Sequence, residues 1–132
     1  MFNARTIALA AALAVTGAAA TAAPNASAKG GPGGVRVSGV CTKSATAELK
    51  LSRDDGRVEV EFEVDQNVNN RTWNVKVKHN GNVFWKGQRT TKAPSGSFSV
   101  TKRTANAAGT DTIVGRAVNP ATGEVCVGSL SI

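Results

Sequence analysis

Two stretches in the middle of the chain alternate apolar and polar residues with a period of two. In 57–65 four apolar side chains alternate with acidic ones, and in 72–79 Trp73, Val75 and Val77 alternate with polar residues. Successive side chains of a β-strand point to opposite faces, so each stretch predicts a strand with one apolar and one charged face. Two such strands indicate an antiparallel β protein with its core on one side of each sheet.

The same alternation, interrupted by turn residues, continues along most of the chain. Asn80-Gly81 predicts a tight hairpin, because a type I′ turn needs positive φ at both central residues. No stretch has an apolar period of 3.6 residues with caps, so we predict no helix in the mature domain. The predicted strands are 46–52, 57–65, 72–79, 82–89, 96–103, 111–119 and 124–131, with a further short strand within 35–40. Short strands with regular turn signals are typical of a β-sandwich.

The segment from Asp111 to Asn119, followed by Gly123-Glu124, resembles the sixth strand of immunoglobulin-like and especially fibronectin type III domains. Residues 56–62 and 73–77 are similar to the second and third strands of that family. The resemblance implies an all-β, seven- to eight-stranded antiparallel immunoglobulin-like (fibronectin type III-like) sandwich. Predicted strands one, two and five would then form one sheet, and strands three, four, six and seven the other.

The resemblance leaves room for a competing strand pairing. The chain departs from the family at Ile113, where many members carry tyrosine, and at Phe62, where tryptophan is common. As a whole it also resembles small secreted proteins of actinobacteria. In the competing arrangement the second and third strands form a simple hairpin, which sets Glu61 against Lys76 and Glu59 against Lys78.

The beginning of the chain predicts export. Residues 1–28 have the layout of a cleaved signal peptide, with Arg5 as the only charge, then an apolar run and small residues. Cleavage sites after Ala22 and after Ala28 both fit; an uncleaved membrane anchor is the alternative, but the apolar run is short of the roughly 20 residues that a spanning helix needs. We expect a flexible Gly/Pro linker at 29–34, a β-sandwich domain at 35–132 and no membrane span in the mature chain.

The two cysteines, Cys41 and Cys126, lie near opposite ends of the mature chain. In an oxidising compartment such a pair most simply forms one disulfide. A metal site made from these cysteines and the single histidine would lack a fourth ligand. We therefore expect a structural disulfide, no metal and no cofactor.

The chain is basic, with 16 Lys and Arg against 9 Asp and Glu and a formal net charge of +7. A basic exported protein is attracted to polyanions such as cell-wall phosphate polymers and acidic polysaccharides. The alternative is that the charge serves solubility only. The sequence has no cluster of cations with interleaved aromatics, so we do not expect nucleic acid as a partner.

Few residues offer catalytic chemistry. We expect His79 to be an exposed residue beside the hairpin turn, and Glu59, Glu61 and Glu63 to be a solvated strand face. Asp54-Asp55-Gly56 reads as a turn rather than a calcium loop, and Asn70-Arg71-Thr72 as a chance glycosylation sequon. We predict that the protein is not an enzyme.

The best functional candidate is a surface of the predicted second sheet. A regular hairpin at Asn80-Gly81 would point Phe84 inward with Val77. The predicted outward face then contains Trp85, Lys76, Lys78, Arg116, Val83, Val114 and Val118. Tryptophan and arginine are enriched where partners bind. The alternative is a β-bulge that exchanges the faces and places Trp85 in the core.

Three functions follow as hypotheses. The first is a secreted, monomeric, non-enzymatic binding or adhesion module for an anionic cell-envelope polymer or an extracellular protein. The second is a secreted inhibitor or effector that blocks an enzyme through loop 66–71 or loop 90–95. The third is a small-molecule carrier, which requires a cleft.

Overall fold

The computed structural model describes residues 34–132; the predicted signal peptide and most of the predicted linker lie outside them. The described chain is all-β and contains no helix, so it also has none that could cross a membrane. Its nine strands are β1 (Val35–Ser38), β2 (Val40–Cys41), β3 (Thr46–Asp54), β4 (Arg57–Asp65), β5 (Thr72–His79), β6 (Asn82–Thr90), β7 (Ser97–Ala105), β8 (Thr112–Val118) and β9 (Val125–Ser131).

The strands form two antiparallel sheets, consistent with a sandwich. One has the order β1-β3-β4-β7 and the other the order β2-β9-β8-β5-β6. The predicted division of the strands between the sheets is confirmed. The competing hairpin is wrong, because β4 pairs with β3 and β7, whereas β5 pairs with β6 and β8. Glu61 therefore lies opposite Lys50 and not opposite Lys76.

The strand predicted within 35–40 is divided at Gly39 into two strands that belong to different sheets. β1 pairs with β3, and β2 pairs with β9. Gly39 lies so close to β3 and β9 that a Cβ there would stand 2.9 Å from both the Ala47 Cβ and the Val127 carbonyl oxygen. Glycine thus permits the close approach at which the chain passes from one sheet to the other. This division explains why nine strands are present where seven or eight were predicted.

The predicted disulfide between Cys41 and Cys126 is present. The two residues lie opposite each other in the pairing of β2 with β9, so the bond fastens the two-residue edge strand to its sheet. It joins positions 85 residues apart, and the chain-entropy model assigns such a closure roughly 4–5 kcal/mol of stabilisation. A disulfide of this kind is typical of extracellular proteins.

The core lies between the two sheets and is built from alternate residues of the longer strands. Phe62 is at its centre and is fully buried. Its ring fits into a notch formed by Gly115 and Gly128, which are paired with each other on β8 and β9. The buried apolar residues are Val37, Ala45, Ala47, Leu49, Leu51, Val58, Val60, Phe62, Val64, Trp73, Val75, Val77, Phe98, Val100, Ile113, Ala117, Cys126 and Leu130.

Four buried polar residues, Thr91, Asp111, Asn119 and Glu124, hold the connections between strands. The Glu124 carboxylate accepts hydrogen bonds from the backbone N–H groups of Lys43 and Ala45, at 3.1 and 2.9 Å. The Asn119 side-chain oxygen accepts from the N–H groups of the turn that follows it. Because these oxygens of Glu124 and Asn119 are hydrogen-bonded, the two side chains fix loop conformations without an uncompensated desolvation cost.

Gly115→Ala tests the notch that receives Phe62. A Cβ at position 115 would lie 2.8 Å from the Phe62 ring, which is enclosed and has no room to move away. We expect the free energy of unfolding to fall by roughly 1–3 kcal/mol, as for other overpacked cores. Denaturant unfolding measures it, with the neighbouring outward substitution Arg116→Ala as the control that changes stability little. Equal stability of the two variants would contradict the close packing.

Candidate functional site

Charged residues are unevenly divided between the two sheets. None of the nine acidic residues lies within a strand of the five-stranded sheet, although its strands contain five Lys or Arg residues. The four-stranded sheet carries six acidic residues, which are Glu48, Asp54, Glu59, Glu61, Glu63 and Asp65. The outer face of the five-stranded sheet is therefore a cationic surface without compensating carboxylates.

Three cations lie side by side across this outer face. Lys76 on β5 is directly opposite Lys86 on β6 and, on its other side, directly opposite Arg116 on β8. All three side chains are exposed, and none forms an ion pair within residues 34–132. We call Arg116, Lys76 and Lys86 the cationic row. Neighbouring strands are roughly 4.8 Å apart, so the row places three positive charges in a line perpendicular to the strands.

Amide side chains border the cationic row on one side. Gln88 donates a hydrogen bond to the side-chain oxygen of Asn74 at 3.1 Å. These amides, the three cations and Val118 line a shallow depression of about 620 Å³. On the opposite side of the row, Lys78 lies between Val114 and Val83. The depression thus offers positive charge together with neutral donors and acceptors, which suits an anion that also carries hydroxyl groups.

The structure brings together six of the seven residues of the predicted binding face. Lys76, Lys78 and Val83 lie on the outer face of β5 and β6, and Lys78 lies opposite Val83 as expected for the hairpin. Val114, Arg116 and Val118 lie on the same face of β8, next to β5. The positive-φ residues Asn80 and Gly81 form the predicted turn.

The predicted outward orientation of Trp85 is wrong, and the alternative of a bulge gives the observed register. The pairing of β5 with β6 shifts between Val77 and Lys78, so Val77 lies opposite Trp85 while Lys78 lies opposite Val83. Phe84 is the extra residue, and both aromatic residues face the core side. Residues directly opposite each other in a sheet share a face, so Trp85 points inward with Val77. It is half-buried at the edge of the core rather than enclosed within it.

Sequence reasoning missed Lys86, for the same reason that it misplaced Trp85. In the unbulged register Lys86 would point into the core, whereas the bulge turns it outward beside Lys76. A lysine is almost never fully buried without a partner. An inward Lys86 was thus the signal in the sequence that this strand contains a bulge.

Trp85 and two further cations form a cluster at the edge where β6 approaches β7. The Arg89 guanidinium carbon lies 4.7 Å and the Lys102 Nζ 5.2 Å from the centre of the Trp85 ring, both within cation–π range. Gly87 makes room for the indole, since a Cβ there would be 2.7 Å from the ring. We call Trp85, Arg89 and Lys102 the edge cluster.

His79 is not the exposed hairpin residue that the sequence predicts. Its side chain is 14% exposed, and both ring nitrogens have partners: Nε2 lies 2.6 Å from Asp111 Oδ1 and Nδ1 lies 2.9 Å from Thr104 Oγ1. A carboxylate oxygen only accepts, so Nε2 donates to Asp111. The imidazole thereby connects the end of β5 with β7 and with the segment before β8.

Asp111 is the anchor of this polar network and is fully buried. Its Oδ1 accepts the Ala107 N–H at 2.9 Å, and its Oδ2, which has no hydrogen-bond partner among the described residues, lies 3.5 Å from the Arg53 guanidinium. The Ala107 hydrogen bond holds the pKa of Asp111 below its ordinary value, against burial, and His79 and Arg53 lower the pKa further. We assign the network a structural role, because it fixes the connection from β7 to β8.

The other sequence candidates occupy separate places. Glu59, Glu61 and Glu63 lie on the outer face of β4, where Arg103 pairs with Glu59 at 3.3 Å. Asp55 and Gly56 form a turn with positive φ at both residues, and Asn70 is exposed in loop 66–71. Within residues 34–132 no group of three or more His, Cys, Asp or Glu side chains is placed to hold a metal ion.

The two loops of the inhibitor hypothesis lie against each other. Thr91 is fully buried between them: its hydroxyl donates to the Val68 carbonyl at 2.6 Å and accepts the Arg71 N–H at 2.9 Å. Gln66 begins the first loop and accepts the hydrogen bond of the Trp73 indole N–H at 2.9 Å. The two loops are therefore braced together at one end of the sandwich.

Comparison of the chain with protein-family models, with curated proteins and with solved structures finds no match.

Asp111→Asn tests the polar network through its pH dependence. Because the pKa of Asp111 is lowered by folding, its ionised form stabilises the protein above about pH 4, and this stabilisation is lost as the pH falls through the lowered pKa. We expect Asp111→Asn to unfold at lower temperature at pH 7 and to lose less stability than the unsubstituted protein between pH 5 and about pH 2. Thermal unfolding at a series of pH values measures both effects. Parallel pH profiles would rule out the role given to Asp111.

Lys76→Glu tests whether the cationic row carries an electrostatic cost. The substitution replaces two like-charge cross-strand pairs with two opposite-charge pairs, at a site exposed to solvent. We expect the free protein to gain roughly 0.5–1 kcal/mol of stability at low salt, and less at high salt. Denaturant unfolding at two salt concentrations measures it, with Lys50→Glu on the other sheet as the control. A loss of stability in Lys76→Glu would contradict repulsion within the row.

Proposed function

We propose that this protein is a secreted, non-enzymatic binding or adhesion module that attaches to a linear anionic polymer of the cell envelope through the cationic row. The observation that carries the proposal is the alignment of Arg116, Lys76 and Lys86 on three adjacent strands. Like charges directly opposite each other in a sheet are destabilising. A bound polyanion would supply the negative charges that no residue of this sheet provides, and would relieve the repulsion.

The overall charge supports the same ligand class. The full chain has a formal net charge of +7. Its acidic residues are confined to the four-stranded sheet, the buried residues Asp111 and Glu124 and the turn at Asp55, so the five-stranded sheet is the more positive side. The positive field of such a surface attracts polyanions over distances comparable to the Debye length, roughly 10 Å at 0.1 M salt. The neutral amides Asn74 and Gln88 beside the row would bind hydroxyl groups of the polymer.

Export and fold family form part of the proposal. Export is supported by the signal-peptide pattern of residues 1–28 and by the disulfide between Cys41 and Cys126. An immunoglobulin-like, fibronectin type III-like topology is supported by the grouping of β3, β4 and β7 against β5, β6, β8 and β9, which is the grouping that the family resemblance implies. Folds of this kind host many functions, so the ligand is argued from the surface and not from the family.

A second candidate function, inhibition of an enzyme through loops 66–71 and 90–95, is supported by the bracing at Thr91. Inhibitory loops bind tightly when they are held rigid before binding. Val68 is 42% exposed within the first loop, so an apolar side chain is presented on a fixed backbone. This function would be independent of the cationic row, and substitutions in the row would leave it unchanged.

The first test is a salt-titrated binding experiment with the disulfide-bonded protein and isolated cell envelopes. We expect binding at low salt that weakens towards physiological salt, because each cation that neutralises a ligand charge releases a condensed counterion. The triple variant Lys76→Gln, Lys86→Gln, Arg116→Gln should bind at least tenfold more weakly, since it removes all three charges of the row.

A control with the same change in net charge separates the row from general attraction. Lys43, Lys50 and Arg57 lie outside the cationic row and form no ion pair within residues 34–132, so their replacement by Gln also removes three positive charges. We expect this control to bind nearly as well as the unsubstituted protein. Equal losses in the two triple variants, or no binding at low salt, would refute the proposed function.

A further inference from the structure

We propose that the binding site for the polyanion does not end with the cationic row at Lys86. It continues over the edge of β6 to the edge cluster of Trp85, Arg89 and Lys102. The ligand is therefore a linear polyanion long enough to present about five consecutive charges, rather than an isolated anionic group. This inference rests on the proposed function and specifies its ligand.

The geometry of β6 makes the two sets of cations continuous. β6 is the edge strand of its sheet, and Lys86 and Trp85 are consecutive residues whose side chains lie on opposite faces of it. Their Cα atoms are roughly 3.8 Å apart, as in any trans-linked pair. A chain that crosses the sheet along Arg116, Lys76 and Lys86 therefore meets the edge cluster as soon as it passes over β6.

The edge cluster has the charge required to hold the continuing chain. Arg89 and Lys102 approach the same indole ring at 4.7 and 5.2 Å, and neither forms an ion pair in the described part of the protein. Lys102 belongs to β7 and lies opposite Val60, so it points to the core side of its sheet. The glutamates of the neighbouring strand β4 point to the outer face, away from Lys102. Two cations held by one aromatic ring, without a carboxylate, repeat the unbalanced charge of the cationic row.

Neighbouring groups extend the same chemistry. A shallow depression of about 370 Å³ next to the cluster is lined by Arg89, Lys92, Thr90 and Ser97, together with Ser99, whose hydroxyl donates to Glu63 at 3.4 Å. Hydroxyl donors and cations together suit phosphate or carboxylate oxygens. Phosphodiester wall polymers and acidic polysaccharides share this linear polyanion chemistry, so the structure assigns the class, and the choice between them falls to experiment.

The test compares ligands of different length with the disulfide-bonded protein. The probes are inorganic polyphosphates and oligogalacturonates with three and with eight charges. We expect the longer probe of at least one series to bind more tightly, with a salt slope steeper by about 1.5, because two further charges are neutralised. We also expect the longer probe to change the tryptophan emission, because Trp85 is half-buried in the edge cluster whereas Trp73 is fully enclosed.

The variant Lys102→Gln isolates the extension from the row. It should weaken binding of the eight-charge probe roughly two- to fivefold and reduce its salt slope by about one, while binding of the three-charge probe is unchanged. Lys50→Gln is the matched control and should change neither. If Lys102→Gln binds both lengths like the unsubstituted protein, or if emission does not respond to the longer probe, the extension is wrong although the row still binds.

Failure of the proposed function has a different signature. In that case neither probe length binds at low salt, in any variant, and the extension is refuted together with the row. Length dependence with polyphosphate alone identifies a phosphate polymer, and length dependence with oligogalacturonate alone identifies an acidic polysaccharide; either result supports the inference.

Discussion

The fit of Phe62 into the notch of Gly115 and Gly128 is the contact on which the rest of the structure depends. Phe62 belongs to the four-stranded sheet and the two glycines to the five-stranded sheet, so the ring sets how closely and in what alignment the sheets face each other. Interiors are packed to crystal-like density, which leaves such a ring no second position. Arg116 follows Gly115 in the chain, and alternation along β8 therefore turns its guanidinium outward into the cationic row.

The alternation of side chains along each strand thus determines both which residues are buried and which charges lie on the surface. On β5 the buried residues Trp73, Val75 and Val77 alternate with outward Asn74, Lys76 and Lys78. The same period places the glutamates of β4 outside the other sheet. Because the two sheets face each other across one core, the glutamates of β4 and the lysines of β5 lie on opposite outer faces of the sandwich. The cationic row therefore has no carboxylate partner on its own sheet within residues 34–132.

Much of the fold could be predicted because strand alternation and turn chemistry are local signals. Thr72–His79 and Arg57–Asp65 were predicted with the bounds observed, and the disulfide followed from cysteine number and compartment. The bulge beside Val77 could not be placed from alternation alone, because an extra residue in one strand leaves both flanking patterns regular. Its effect on the candidate site was large: it moved Trp85 to the inner side and brought Lys86 into the cationic row.

The hydrogen bonds of the buried polar residues could not be predicted either, for a different reason. His79 and Asp111 are 32 residues apart, and Thr91 and Val68 are 23 residues apart, so no local pattern connects them. Only the closed sandwich brings their segments together at its ends. The division of the first strand at Gly39 is similar, since the crowding that requires glycine comes from β3 and β9 and not from its sequence neighbours.

The bulge in β6 also determines how this protein can diverge. Outward residues of β5, β6 and β8 can be substituted one at a time without disturbing the buried residues of the same strands. Point substitutions can therefore alter the chemistry of the outer face of the five-stranded sheet during evolution. An insertion or deletion within the same strands would exchange the two faces beyond it and expose the core. Length changes are therefore tolerated in loops at the two ends, while the recognition face evolves by substitution within a fixed frame.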